Sequence, residues 1–140
     1  MSTGTEVDKA TRPVGWWLYL VVVVGALLMA AGGVIALVHP AMLVSPDAEI
    51  NEAVRVYAGY LASRNLVLAT MLLAMLALRA RRALSYLMVL TGFIQVMDAC
   101  IDGVEGRWAV VPGVLLFGVI FFLGAARLTG SPFWRGKAWE

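Results

Sequence analysis

One cysteine and one histidine in 140 residues leave this chain little with which to hold a soft or borderline metal. Cys100 alone forms no intrachain disulfide, and His39 alone builds no histidine cluster. Charge is scarce too: 14% of residues are Asp, Glu, Lys or Arg, where a soluble domain carries about 25%. Nothing resembles a phosphate loop, a zinc motif or a nucleic-acid module, so no cofactor, metal or nucleic-acid partner is expected. What remains is apolar: 61% of residues are hydrophobic, and the mean hydropathy is +0.85. A soluble fold cannot hide that much apolar surface. The expected class is an all-α integral membrane protein, long enough for one domain of four spans of about 20 residues each.

The residue pattern places those spans at about 15–38, 52–78, 83–102 and 108–128, in a four-helix transmembrane domain over 15–128. Residues 1–14 are polar and read as a disordered tail. The run from Gly15 to Val38 is longer than the roughly 7–15 apolar residues of a signal core, so it reads as a retained first helix. Trp16, Trp17 and Tyr19 open it as an aromatic belt, and His39-Pro40 ends it. An acidic loop follows over 41–50, with a surface turn expected to start at Ser45-Pro46-Asp47. Arg79 to Arg82 form a basic turn, and residues 129–140 read as a basic, aromatic interfacial tail.

Charge gives the expected direction. Lys9, Arg12, Arg79, Arg81, Arg82, Arg127, Arg135 and Lys137 fall on one side of such a bundle. Arg55 and Arg107 fall on the other, beside Asp47, Glu49, Glu52 and Glu105. By the positive-inside rule both termini face the cytoplasm of a bacterial inner membrane, and short connections favour an antiparallel up-down bundle.

The charges within the spans are the functional signal. Counting residues puts Arg64 about 8 Å below the outer boundary at about 1.5 Å per residue. Asp98 falls near the same level, and Asp102 about one turn further out. Thr91, Gln95, Asp98 and Asp102 form one helical stripe, and Tyr57, Tyr60 and Arg64 another, with Asn65 turned about 100° from Arg64. Lipid solvates neither stripe, so they are expected to face each other. Two carboxylates and one guanidinium in a low dielectric are equipment for acid–base chemistry. The competing reading is structural: an Arg64–Asp98 pair locks two helices, with Gln95 and Asn65 as hydrogen-bonding glue. A buried ion pair is weak evidence for stability, because desolvation offsets its attraction.

Other residues have ordinary roles. Gly32, Gly33, Pro112 and Gly113 read chiefly as packing or helix-start positions, and secondarily as the walls of a cavity. Met29, Met71, Met75, Met88 and Met97 read as core filler. His39 reads as an interfacial helix end, and Cys100 as a small packing residue beside the polar stripe.

The stretch Ala62-Ser63-Arg64-Asn65-Leu66, the arginines at 79–82 and Asp98 together resemble a family of small bacterial four-helix membrane proteins, over about Val54 to Leu128. In that family an Arg-Asn or Arg-Asp pair opens the core of the second helix and an aspartate closes the third. The resemblance implies the fold and brings no established activity. In chemistry alone, Asp98, Arg64, Asp102, a tyrosine (Tyr57 or Tyr60) and Asn65 are similar to the Asp–Arg–Asp group of limonene-type epoxide hydrolases. The expected function is an acid–base enzyme opening, cyclising or isomerising a lipophilic, terpenoid- or polyketide-like molecule. Asp98, Asp102 and Arg64 would be catalytic, and Tyr57, Tyr60, Asn65 and Gln95 would bind substrate. The expected partners are that molecule and membrane lipids. The alternatives are a binder or transporter of a small molecule or cation, working as a homo-oligomer, or a structural scaffold.

Overall fold

The computed structural model describes residues 15–44 and 48–130. Helix α1 is Trp16–Val38, α2 is Glu52–Ala77, α3 is Arg81–Val104 and α4 is Val111–Thr129. All four are long and apolar enough to cross a membrane. Their outward faces carry large apolar side chains, among them Leu20, Leu27, Val67, Leu90, Leu116 and Leu123. So much exposed apolar surface suits lipid, not water, and this is the pattern of a multi-pass membrane bundle. The expected tails at 1–14 and 131–140, and the turn expected to begin at Ser45-Pro46-Asp47, lie outside the described residues.

Local chemistry sets the helix ends. The Asn51 side chain caps α2 by accepting from the Val54 N–H at 3.0 Å, with Glu52 in the first turn. Between α2 and α3 the chain turns through Arg79, whose φ of 55° is the left-handed region. That tight turn lets α3 begin at Arg81, two residues before the expected start. At its other end α3 runs on to Val104, beyond the expected Asp102, before glycine stops it. Helix α4 begins at Val111, three residues after the expected Trp108, with Pro112 in its first turn. A short 3-10 turn at Pro40–Leu43, started by Pro40, follows α1.

The helices pack most closely as two pairs, α1 with α2 and α3 with α4, and the pairs meet each other more sparsely. Small residues explain the tight pairing. A Cβ on Gly33 would sit 3.2 Å from the Ala62 carbonyl oxygen, and one on Gly118 would sit 3.3 Å from that of Gly92. The main core lies toward the end of the bundle that carries the α2–α3 turn. There Val22, Met29, Leu72, Leu84, Met88 and Phe121 interlock. Near the acidic end, where the chain leaves α1 and α3, the buried cluster is only Ala36, Ala58 and Ala62. With only small residues buried within the α1–α2 pair and sparse contact between the two pairs, space is left at that end.

Candidate functional site

Arg64 of α2 and Asp98 of α3 bridge the gap between the two pairs. Arg64 Nη1 donates to Asp98 Oδ1 at 3.2 Å, and Nη2 donates to Oδ2 at 2.9 Å. This is the parallel two-bond fork that matches guanidinium to carboxylate. The pair is not sealed: the side chains remain 36% and 29% exposed. They form the polar wall of a cavity of about 310 Å³. Leu28 and Met29 of α1, Leu61 and Asn65 of α2, and Gln95 of α3 line it further. Gly113, Val114 and Phe117 of α4 complete it, so all four helices contribute. Phe117 is held in turn against Phe121, with ring centroids 4.7 Å apart. Asn65 stands against the α1 glycines, its Nδ2 3.6 Å from where a Gly32 Cβ would lie.

Asp102 has a different partner. Arg107 Nη1 lies 3.4 Å from Asp102 Oδ1 and also donates to the Leu43 carbonyl oxygen at 2.8 Å. The trio expected to meet around one guanidinium is therefore divided into two ion pairs, Arg64–Asp98 and Arg107–Asp102. The cause is the way α3 ends. Gly106 takes a φ of 74°, its N–H donates to the Gly103 carbonyl, and the Arg107 N–H donates to that of Asp102 at 2.8 Å. This glycine-stopped Schellman turn folds Arg107 back over Asp102. The run Gly103-Val104-Glu105-Gly106-Arg107 carries that signal in its glycines, and helical spacing within the spans does not reach Arg107.

A second cavity, of about 180 Å³, joins the two pairs. Asp98, Asp102, Arg107 and Tyr57 supply its polar groups, and it shares Leu61, Gln95, Asp98 and Val114 with the larger one. Leu43 also lines it, so the 3-10 turn borders the site. Both aspartates thus face one space, although Arg64 lines only the larger cavity.

The remaining residues distribute as follows. Tyr60 is 74% exposed and lines neither cavity. Three residues turn a helix about 300°, which carries Tyr60 about 60° away from the face that Tyr57 uses. Thr91, in the polar stripe, is fully buried, and its Oγ1 has no hydrogen-bond partner among the described residues. Arg64 Nε is likewise buried without a hydrogen-bond partner among the described residues. Ser85, to which the sequence assigns no role, donates to the Ala125 carbonyl at 3.4 Å and ties α3 to α4. Cys100 is exposed and lines an apolar hollow with Trp108 and Leu115, away from the polar cluster. Two residues beyond Asp98 is about 200° around the helix, so Cys100 does not stand beside the polar stripe as expected. Among the described residues, no three His, Cys, Asp or Glu side chains gather as a metal site.

The arrangement offers two carboxylates on one cavity wall, each held by its own arginine, with the Gln95 amide and the Tyr57 phenol beside them and the Asn65 amide on the adjoining larger cavity. Such a group can position water, exchange protons and orient an oxygen-bearing molecule. Comparison of the chain with known protein families, characterised proteins and solved structures finds no match.

Proposed function

We propose that the protein is a multi-pass enzyme of a bacterial inner membrane, performing acid–base chemistry on a lipophilic small molecule. Its helices run up and down in an antiparallel bundle with both termini in the cytoplasm. The distribution of Lys and Arg supports that orientation. The observation that carries the reading is the Arg64–Asp98 fork on the wall of a cavity built by all four helices. A purely structural ion pair needs no cavity, and one beside an apolar chamber is placed to meet a ligand.

Epoxide hydration suits the group. Arg64 positions the Asp98 carboxylate through its two-bond fork. Asp102, with one longer contact to Arg107, relays a proton from solvent and so acts as the proton donor. As the epoxide C–O bond breaks, its oxygen takes a proton from Asp102. Water attacks the carbon, and its surplus proton passes to Asp98. The product is a diol, and Asp98 releases its proton to solvent, which restores both ion pairs. Tyr57, Asn65 and Gln95 orient the substrate, and Tyr60 takes no part. Cyclisation or isomerisation uses the same donor and base, with an internal nucleophile or a carbon-bound proton in place of water.

The test is turnover. Proteoliposomes are incubated with a panel of lipophilic epoxides, and products gaining one water, or isomerised, are followed by mass spectrometry. Asp98→Asn is expected to lower the rate by about 10²–10⁴-fold, the usual contribution of a placed proton-transfer group. Full activity in a folded Asp98→Asn protein would end the reading.

A further inference from the structure

The charges of the site cancel. Asp98 and Asp102 are matched by Arg64 and Arg107, at 2.9 Å and 3.4 Å. The other polar groups on the two cavities, Asn65, Gln95 and Tyr57, carry neutral side chains. A charged ligand entering such a site brings an ion into low dielectric with no counter-charge waiting. That costs several kcal/mol by most measures. A neutral molecule avoids this penalty. Its oxygen can accept from the Asn65 or Gln95 amide, or its hydroxyl can donate to Asp98, without opening the Arg64 fork. Its apolar body then lies on Leu61, Val114 and Phe117.

We infer that the site takes an electrically neutral, oxygen-bearing lipophile (an alcohol, ketone, ester or epoxide) and rejects alkylammonium ions and carboxylates. The inference rests on the reading of these cavities as a small-molecule site, and narrows its substrate class. The larger cavity, at about 310 Å³, falls at the small end of the range for such sites, roughly 300–1,000 Å³.

The full chain in nanodiscs of neutral lipid is titrated with decanol, decylamine and decanoate, three probes of one chain length. Binding is read as a saturable shift in thermal unfolding followed by tryptophan fluorescence. Decanol is expected to half-saturate at a concentration about tenfold or more below either ion, equivalent to about 1.4 kcal/mol or more. Leu61→Trp, which intrudes on both cavities, is expected to weaken the saturable shift several-fold and leave bilayer partitioning unchanged. Arg64→Gln uncovers a carboxylate and is expected to move the preference to decylamine. Asp98→Asn uncovers a guanidinium and is expected to move it to decanoate. If either single variant fails to fold, the double variant Arg64→Gln with Asp98→Asn, again balanced, must keep the preference for decanol.

A wild-type protein that prefers either ion, or shows no saturable shift with any probe, overturns the inference. So do single variants that fold but keep the wild-type ranking. Turnover separates this from the proposed chemistry. Reversed ranking with turnover still lost in Asp98→Asn sinks the neutral-ligand inference alone. Intact ranking without turnover sinks the enzyme alone.

Discussion

At the scale of single residues, the Arg64–Asp98 fork is an interaction whose loss and whose replacement have different consequences. Removing one partner strands the other charge beside an apolar chamber. For a fully buried pair that costs about 3–5 kcal/mol, and the partial opening of this pair to its cavity brings the figure to about 2–3 kcal/mol. Arg64→Met and Asp98→Leu are each expected to destabilise by about that amount. The double variant is expected to recover most of it, because apolar replacements of similar volume are often neutral. Reversible unfolding in mixed micelles, analysed as a double-mutant cycle, measures this coupling. A scaffold would keep its function in the stable double variant, whereas an enzyme would lose it. Arg64 and Asp98 were legible in the sequence because a charge in a long apolar run has few explanations. The partner of Asp102 was not, because Arg107 reaches it through a glycine turn, and helical spacing says nothing about side chains beyond a helix end.

Between elements, the site depends on two tight pairs held slightly apart. Gly33 lets α1 lie against α2, and a Cβ there would stand 3.2 Å from the Ala62 carbonyl oxygen and 3.2 Å from Leu66 Cγ. Gly33→Leu is expected to cost about 1–3 kcal/mol through overpacking, read as a lower unfolding midpoint in micelles. It should also disturb Asn65, which packs on the same glycines. At the acidic end Arg107 joins the α3–α4 connection to the 3-10 turn through the Leu43 carbonyl, at the border of the smaller cavity. Arg107→Ala removes that tie. In a Cys100→Ser background, Gln95→Cys is expected to react several-fold faster with a cationic methanethiosulfonate reagent when Arg107 is alanine, measured by the rate of mass shift. An unchanged rate would mean the tie does not restrict access. The existence and type of the four helices were legible because apolar length and glycine–proline punctuation decide them. The pairing was not, since it arises from contacts between glycines and carbonyls about 30 residues apart. The early end expected for α3 came from treating Asp102 as its last residue, when the left-handed Gly106 is what stops it.

The whole molecule carries its charge asymmetrically, and this asymmetry bears on where the site opens. Among the described residues, Glu49, Glu52, Asp98, Asp102 and Glu105 all lie toward the acidic end. Arg79, Arg81, Arg82 and Arg127 lie toward the end carrying the α2–α3 turn, where no described residue is acidic. Positive charge next to short connections is retained in the cytoplasm during insertion, while acidic residues have little influence. In the proposed orientation the two cavities would open on the side away from the cytoplasm, and the proposed lipophilic substrate would reach them from the outer leaflet or from outside the cell. Impermeant maleimide applied to intact cells, in a Cys100→Ser background, is expected to label Glu49→Cys without permeabilisation and Arg82→Cys only after it. Replacing Arg79, Arg81 and Arg82 together by Gln removes most of the described bias, and the same labelling is expected to show a mixture of orientations. Labelling of Arg82→Cys in intact cells of the otherwise unaltered protein would invert the molecule. It would also move the Arg64–Asp98 chamber to the cytoplasmic leaflet, where the substrate would have to be made or delivered inside the cell.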